Sequence, residues 1–83
     1  MNYVQIINQM KSEGVGLMSV NQYLAVASQL ANNAPCNFLV FGLGGDAYAW
    51  DKINEGGRTV FLEDDEEWIS QFEGSGLEIY SVK

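Results

Sequence analysis

The chain has 83 residues, a formal net charge of −7, one cysteine and no histidine. A single domain of this length buries roughly 60–65% of its unfolded surface, which leaves a modest core. The missing histidine excludes His-bearing metal sites and Ser-His-Asp or Cys-His nucleophile systems, a lone thiol excludes an internal disulfide, and the acidity, with only Lys11, Lys52, Arg58 and Lys83 scattered against it, argues against nucleic acid.

No apolar run approaches a membrane span, and the N-terminus lacks a basic region followed by an apolar core. One free thiol fits a reducing compartment. The expectation is therefore a cytoplasmic chain with no membrane partner. Oligomerisation is the remaining common source of extra buried surface.

Tyr3, Ile6, Ile7 and Met10 fall at helical spacing, with Asn2 as a cap and Gly14 as a stop. Gly14 to Gly16 read as a flexible joint. Ser19-Val20-Asn21-Gln22 is a capping box that opens a second helix. Val20, Tyr23, Leu24, Ala27, Leu30 and Ala31 make its apolar stripe, and Pro35 prevents its continuation. Asn37 to Phe41 is an uninterrupted apolar run after its first residue, a pattern suited to a strand buried on both faces. Gly42 to Gly45 form a turn. Asp46 is placed to cap a short helix carrying Ala47, Tyr48, Trp50 and Ile53, which ends before Gly56-Gly57. Arg58 to Leu62 read as a second strand. Asp65 can cap a further helix with Glu66 and Glu67 in its first turn. Trp68, Ile69 and Phe72 mark its buried side, and Leu77 to Val82 make a third strand.

Strands alternating with short helices predict an α/β fold. Right-handed crossovers order the strands 3-2-1 in a three-layer, Rossmann-like half-sheet, preceded by two N-terminal helices. The whole chain, 1–83, reads as one domain, with 1–18 as the N-terminal helix and joint and 19–83 as the sheet-bearing region.

A strand, a glycine turn, a helix and a second strand ending in carboxylates is the order of parts that binds a nucleoside-bearing cofactor. Glycines let the backbone approach the ligand. A carboxylate past the second strand can accept hydrogen bonds from a ribose diol. Glu63, 21 residues after Gly42, holds that position. The dinucleotide fingerprint is incomplete, because its sixth position is Ala47, so dinucleotide binding is disfavoured. A turn with no ligand is the bland alternative. Glu63 to Glu67 can also be a solvated acidic run that caps a helix, and Asp64 to Glu67 suit that reading better than Glu63 does. Asp65 is open to both capping and adenosine contact. Arg58 reads as a structural ion-pair partner, Cys36 as an inert packed thiol, and Trp50, Tyr48, Trp68 and Phe72 as core or interface.

The strings Pro35 to Gly44 and Gly56 to Asp65, with Trp50 and Trp68-Ile69, resemble the plant polysaccharide methyltransferase family. That family includes the glucuronoxylan 4-O-methyltransferases and related xylan-biosynthesis proteins. The similarity runs over roughly Ser19 to Val82. It implies a Rossmann-like methyltransferase fold that uses S-adenosylmethionine. By this resemblance Gly42 and Gly44 line the cofactor and Glu63 holds its ribose; Leu43, Gly45, Asp46 and Asp64 complete the candidate cofactor-binding set. The family usually carries His and then Asp-Ser after the second glycine, where this chain has Gly45, Asp46 and Ala47. Family members also continue past the third strand, into the rest of the sheet and the acceptor site, and usually carry a Golgi anchor. The expectation is thus a truncated cofactor half. No catalytic residue is assigned; Asp46, the obvious carboxylate near the turn, is not taken as a base.

Such a half-sheet leaves its first strand as an edge, and Phe38, Leu39, Val40 and Phe41 then invite pairing. A homodimer through this strand is expected, giving a continuous six-stranded sheet. The leading function is S-adenosylmethionine binding by a methyltransferase-like module. The alternatives are a non-catalytic interaction or regulatory half-fold, and a lyase or hydrolase that consumes the same cofactor at a subunit interface.

Overall fold

The computed structural model describes residues 1–82; Lys83 lies outside them. The elements run α1 (Tyr3–Ser12), α2 (Val20–Asn33), β1 (Asn37–Phe41), α3 (Ala47–Ile53), β2 (Arg58–Glu63), α4 (Glu66–Ser70) and β3 (Glu78–Ser81). The strands are parallel in spatial order β1-β2-β3, the expected 3-2-1 arrangement. Among the described residues no helix is long and apolar enough to cross a membrane.

Both N-terminal helices start on reciprocal caps. The Asn2 side chain accepts from the Gln5 amide and the Gln5 side chain from the Asn2 amide, each at 2.9 Å. Ser19 and Gln22 repeat the device on α2. Each pair satisfies two amides that the first helical turn leaves without partners. The expected flexible joint is tied at several points. Lys11 Nζ donates to the carbonyls of Gly16 and Met18 at 3.1 and 2.9 Å. Gly16 has φ +92, and a Cβ there would lie 2.5 Å from the Tyr23 hydroxyl.

A single core joins the helices to the sheet. Ile6, Ile7 and Met10 of α1, Tyr23, Ala27 and Leu30 of α2, and Ala47, Ala49 and Trp50 of α3 close over Phe61 of β2. Phe38, Val40 and Ile79 add the inner face of the sheet. Phe61 is fully buried, and a phenylalanine so placed contributes roughly 1.5–3 kcal/mol.

The outer face differs from the expectation for β1. Register places Leu39 beside Val60 and Glu78, and Phe41 beside Leu62 and Tyr80. Leu39 is 52% and Phe41 80% exposed. The strand is covered on one face, not on both. Successive crossovers of one hand, moving in one direction across the sheet, deliver their helices to the same side. The alternate residues of each strand then face outward.

Candidate functional site

The carboxyl ends of β1 and β2 lie side by side, which brings the glycine turn against the acidic strand end. Gly42 leaves β1 with φ +105, a backbone that side chains rarely adopt. Its amide donates to Leu62 O at 2.7 Å, holding the turn to β2. A Cβ on Gly42 would meet nothing within 4 Å, and one on Gly44 would meet only Asp46. The backbone of this bend is open to an approaching ligand.

Glu63 points at the bend. Its Oε1 accepts from the Leu43 amide at 2.8 Å, and its Oε2 accepts from the Asp64 and Asp65 amides at 3.1 Å each. The Asp65 and then the Leu43 amide hold the Glu63 carboxyl below the usual glutamate range. The Trp68 indole N–H donates to the Leu43 carbonyl, so the Leu43 backbone is held through both its N–H and its C=O while its side chain enters the core. Glu63 and the turn are joined by a direct hydrogen bond rather than facing each other across a gap. Asp64 contributes its backbone amide, and its side chain lies at the exposed end of the strand.

Of the two expected aspartate caps, the one at Asp65 forms and the one at Asp46 does not. Asp65 has extended backbone, and its side chain accepts from the Trp68 amide at 3.1 Å, so it caps α4. Asp46 sits at helical dihedrals (φ −79, ψ −5) and makes no side-chain cap bond to α3. A capping side chain needs extended backbone to reach the next turn. The Asp46 carboxylate instead accepts from the Tyr23 hydroxyl at 3.0 Å, and that hydroxyl accepts from the Leu17 amide. Gly45 is held by packing: a Cβ there would lie 2.8 Å from Val15 Cγ1.

Gly42, Leu43, Gly44 and Glu63 therefore meet at one place, with Gly45, Asp46 and Asp64 bordering it. Of the aromatic residues, Trp50 and Phe72 are core, Trp68 grips the bend, and Tyr48 is half exposed on α3 with its ring stacked on Phe72. Sequence reasoning did not identify Trp68, Tyr23 or Asn54 as polar partners. Trp68 reaches Leu43 across 25 residues and Tyr23 reaches Asp46 across 23, and no local pattern signals such pairings.

Arg58 pairs with Glu78 at 2.5 Å on the open face of the sheet, away from the bend. The guanidinium, with the Tyr80 hydroxyl next, lowers the Glu78 carboxyl from 4.5 to about 2. Folding thus favours ionised Glu78, and ionised Glu63 likewise. Their contribution is complete above the ordinary glutamate value and is lost as pH falls through the lowered folded values. The urea midpoint is expected to hold above pH 4.5 and to drop between there and about pH 2. Glu78→Gln is expected to show a smaller drop over the same window. An equal drop in the variant would remove Glu78 from the account.

The sequence model of the IRX15/IRX15L/GXM family matches residues 21–83. Glucuronoxylan 4-O-methyltransferase 1 of Arabidopsis thaliana is 61% identical over 49 residues, covering 58% of this chain and 17% of that protein. Arabinogalactan O-methyltransferase 2 of the same plant is 45% identical over 64 residues, covering 77% of this chain and 22% of that protein. Protein IRX15-LIKE, also from Arabidopsis thaliana, is 37% identical over 69 residues, covering 80% and 22%. The chain thus spans about a fifth of the length of these curated relatives. No solved structure matches it. The family match takes in the strand, the glycine bend and the acidic strand end together, and the chain belongs to the IRX15/IRX15L/GXM family.

Proposed function

We propose that this chain binds S-adenosylmethionine, as the cofactor-holding part of a polysaccharide O-methyltransferase. The observation that carries the reading is the Glu63 carboxylate at the end of β2, 2.8 Å from the amide of the glycine bend that ends β1. A ribose diol offers two O–H donors, and a carboxylate is the acceptor that matches them. The open space over Gly42 admits a ligand close to the backbone. Relatives over this stretch are named as O-methyltransferases of glucuronoxylan and arabinogalactan.

The residues fit the cofactor with one adjustment. A carboxylate has about four acceptor positions, and three amides occupy three of those on Glu63. One position is free for a ribose hydroxyl. Gripping both hydroxyls requires the Leu43 amide to let go, which frees that N–H to face the ligand as well. When bound, S-adenosylmethionine supplies the methyl group to an acceptor oxygen and leaves as S-adenosylhomocysteine. Trp68 keeps the Leu43 peptide oriented, and Tyr23 keeps Asp46 engaged, so Asp46 is not offered as a base.

Calorimetry and amide NMR with S-adenosylmethionine and S-adenosylhomocysteine test this. Binding is expected to move the Leu43, Gly44 and Asp65 amides most. Glu63→Gln retains an acceptor for Leu43 and loses the charge, and is expected to weaken binding about tenfold or more. Absence of heat and of amide shifts at millimolar ligand, with the chain folded, would overturn the reading and leave the non-catalytic half-fold standing.

A further inference from the structure

The connection between α1 and α2 reads as slack in the sequence, with Gly14 and Gly16 both at positive φ. Side chains from outside it nevertheless tie three consecutive residues. Lys11 Nζ donates to the carbonyls of Gly16 and Met18. Between them the Leu17 amide donates to the Tyr23 hydroxyl at 3.0 Å. That hydroxyl donates in turn to Asp46 Oδ2, also at 3.0 Å. Tyr23 is 1% exposed, and burial raises its pKa above the usual tyrosine value, so the hydroxyl keeps its proton and its role as donor. Two residues before Leu17, the Val15 side chain closes against the backbone of Gly45. The connection therefore reaches the bend at two adjoining residues, Gly45 by packing and Asp46 through Tyr23.

Asp46 has two arrangements open to it. An aspartate just ahead of a helix ordinarily takes extended backbone and caps it. Here it stands at helical dihedrals, with its carboxylate on Tyr23 and its carbonyl accepting from the Ala49 and Trp50 amides at 3.1 and 3.2 Å. The Ala47 amide donates back to Gly44 O at 3.0 Å. The path of the chain from Gly44 to Ala47 thus depends on which partner Asp46 takes. We infer that residues 14–18 form a strap that holds the glycine bend in one shape, with Tyr23 and Lys11 as positioning residues that act on it through Asp46 and Gly45. The consequence for affinity rests on the proposed function: a bend already in its bound shape loses less of the binding free energy to ordering.

Amide hydrogen exchange on the 83-residue chain, without ligand, tests the strap. Tyr23→Phe keeps the ring beside Trp50, whose centroid lies 5.8 Å away, and removes the hydroxyl. Lys11→Met keeps the bulk of the stem and removes the donor to Gly16 and Met18. Each variant is expected to speed exchange at Leu17 and, across the contact, at Ala47 by about three- to tenfold relative to Ala27 in the middle of α2. Thr59→Val, near the amino end of β2, is the control for general loss of stability and is expected to leave both ratios unchanged. Exchange at Ala47 that neither strap variant changes would overturn the strap, as would an equal effect from Thr59→Val. Calorimetry with S-adenosylmethionine then reads the consequence. Tyr23→Phe and Lys11→Met are expected to weaken binding about three- to tenfold, and Thr59→Val to leave it as it is. Equal affinity in all four chains would overturn the positioning role and keep the proposed function. Coupled exchange in a wild type that gives no heat would overturn the proposed function and leave the strap standing.

Discussion

Asn54→Ala is expected to cost about 3–5 kcal/mol, a large part of the roughly 4–12 kcal/mol that a chain of this size holds in total. Asn54 is 1% exposed and joins the start of β1 to the start of β2. Its Oδ1 accepts from the Cys36 amide at 2.9 Å. Its Nδ2 donates to Cys36 O at 2.9 Å, Thr59 Oγ1 at 3.0 Å and Arg58 O at 3.4 Å. Truncation loses these bonds and also strands the buried groups that made them, which costs more than the bonds are worth. Gly57 is part of the same device. A Cβ there would lie 2.5 Å from Cys36 O and 2.7 Å from Asn54 Oδ1, so the pair of strands closes only over a bare backbone. Thr59→Val removes a single partner and is expected to cost about 1 kcal/mol. Urea midpoints for the two variants decide the matter. If Asn54→Ala falls no further than Thr59→Val, Asn54 is not the latch.

The latch sits at the amino ends of the strands, and the glycine bend at their carboxyl ends. This division explains which parts were legible in the sequence. The capping box Ser19–Gln22, the stop at Pro35, the glycine turn and the acidic end of the second strand are local patterns, and each falls where local chemistry puts it. The meeting of Glu63 with the bend was legible too, because adjacent parallel strands bring their carboxyl ends together once the crossover is right-handed. What the pattern could not show depends on groups far apart in the chain. Asn54 precedes Glu55-Gly56-Gly57 and reads as a turn residue. Its role appears only when Cys36 arrives from 18 positions away. Asp46 looked like a helix cap because its type and place are right, but Tyr23 outcompetes the cap from another helix. The apolar run of β1 marks a strand without saying how many of its faces are covered. Arg58 has many acidic residues to choose from, and the β2–β3 register selects Glu78.

The open edge of β1 leads to the other large expected effect. β1 pairs with β2 alone, so its outer edge is free among the described residues. Phe38, Leu39, Val40 and Phe41 carry no charge to repel a second copy. The geometry points to an antiparallel pairing of two copies about a two-fold axis through Leu39, with Phe38 opposite the partner's Val40 and Asn37 opposite the partner's Phe41. Beside this edge lies a groove of about 380 Å³ bordered by Val26, Leu30 and Phe38, and Val26 is 41% exposed. The two-fold brings this groove against its counterpart, adding helix contact to strand pairing. Leu39 sits on the axis, so Leu39→Lys sets two ammonium groups face to face, the device by which natural edge strands refuse partners. Its 52% exposure leaves the folded chain little changed by the substitution. Sedimentation at micromolar concentration is expected to give twice the 9.2 kDa chain mass for the wild type and the single mass for Leu39→Lys. A wild type that sediments at the single mass rejects the pairing.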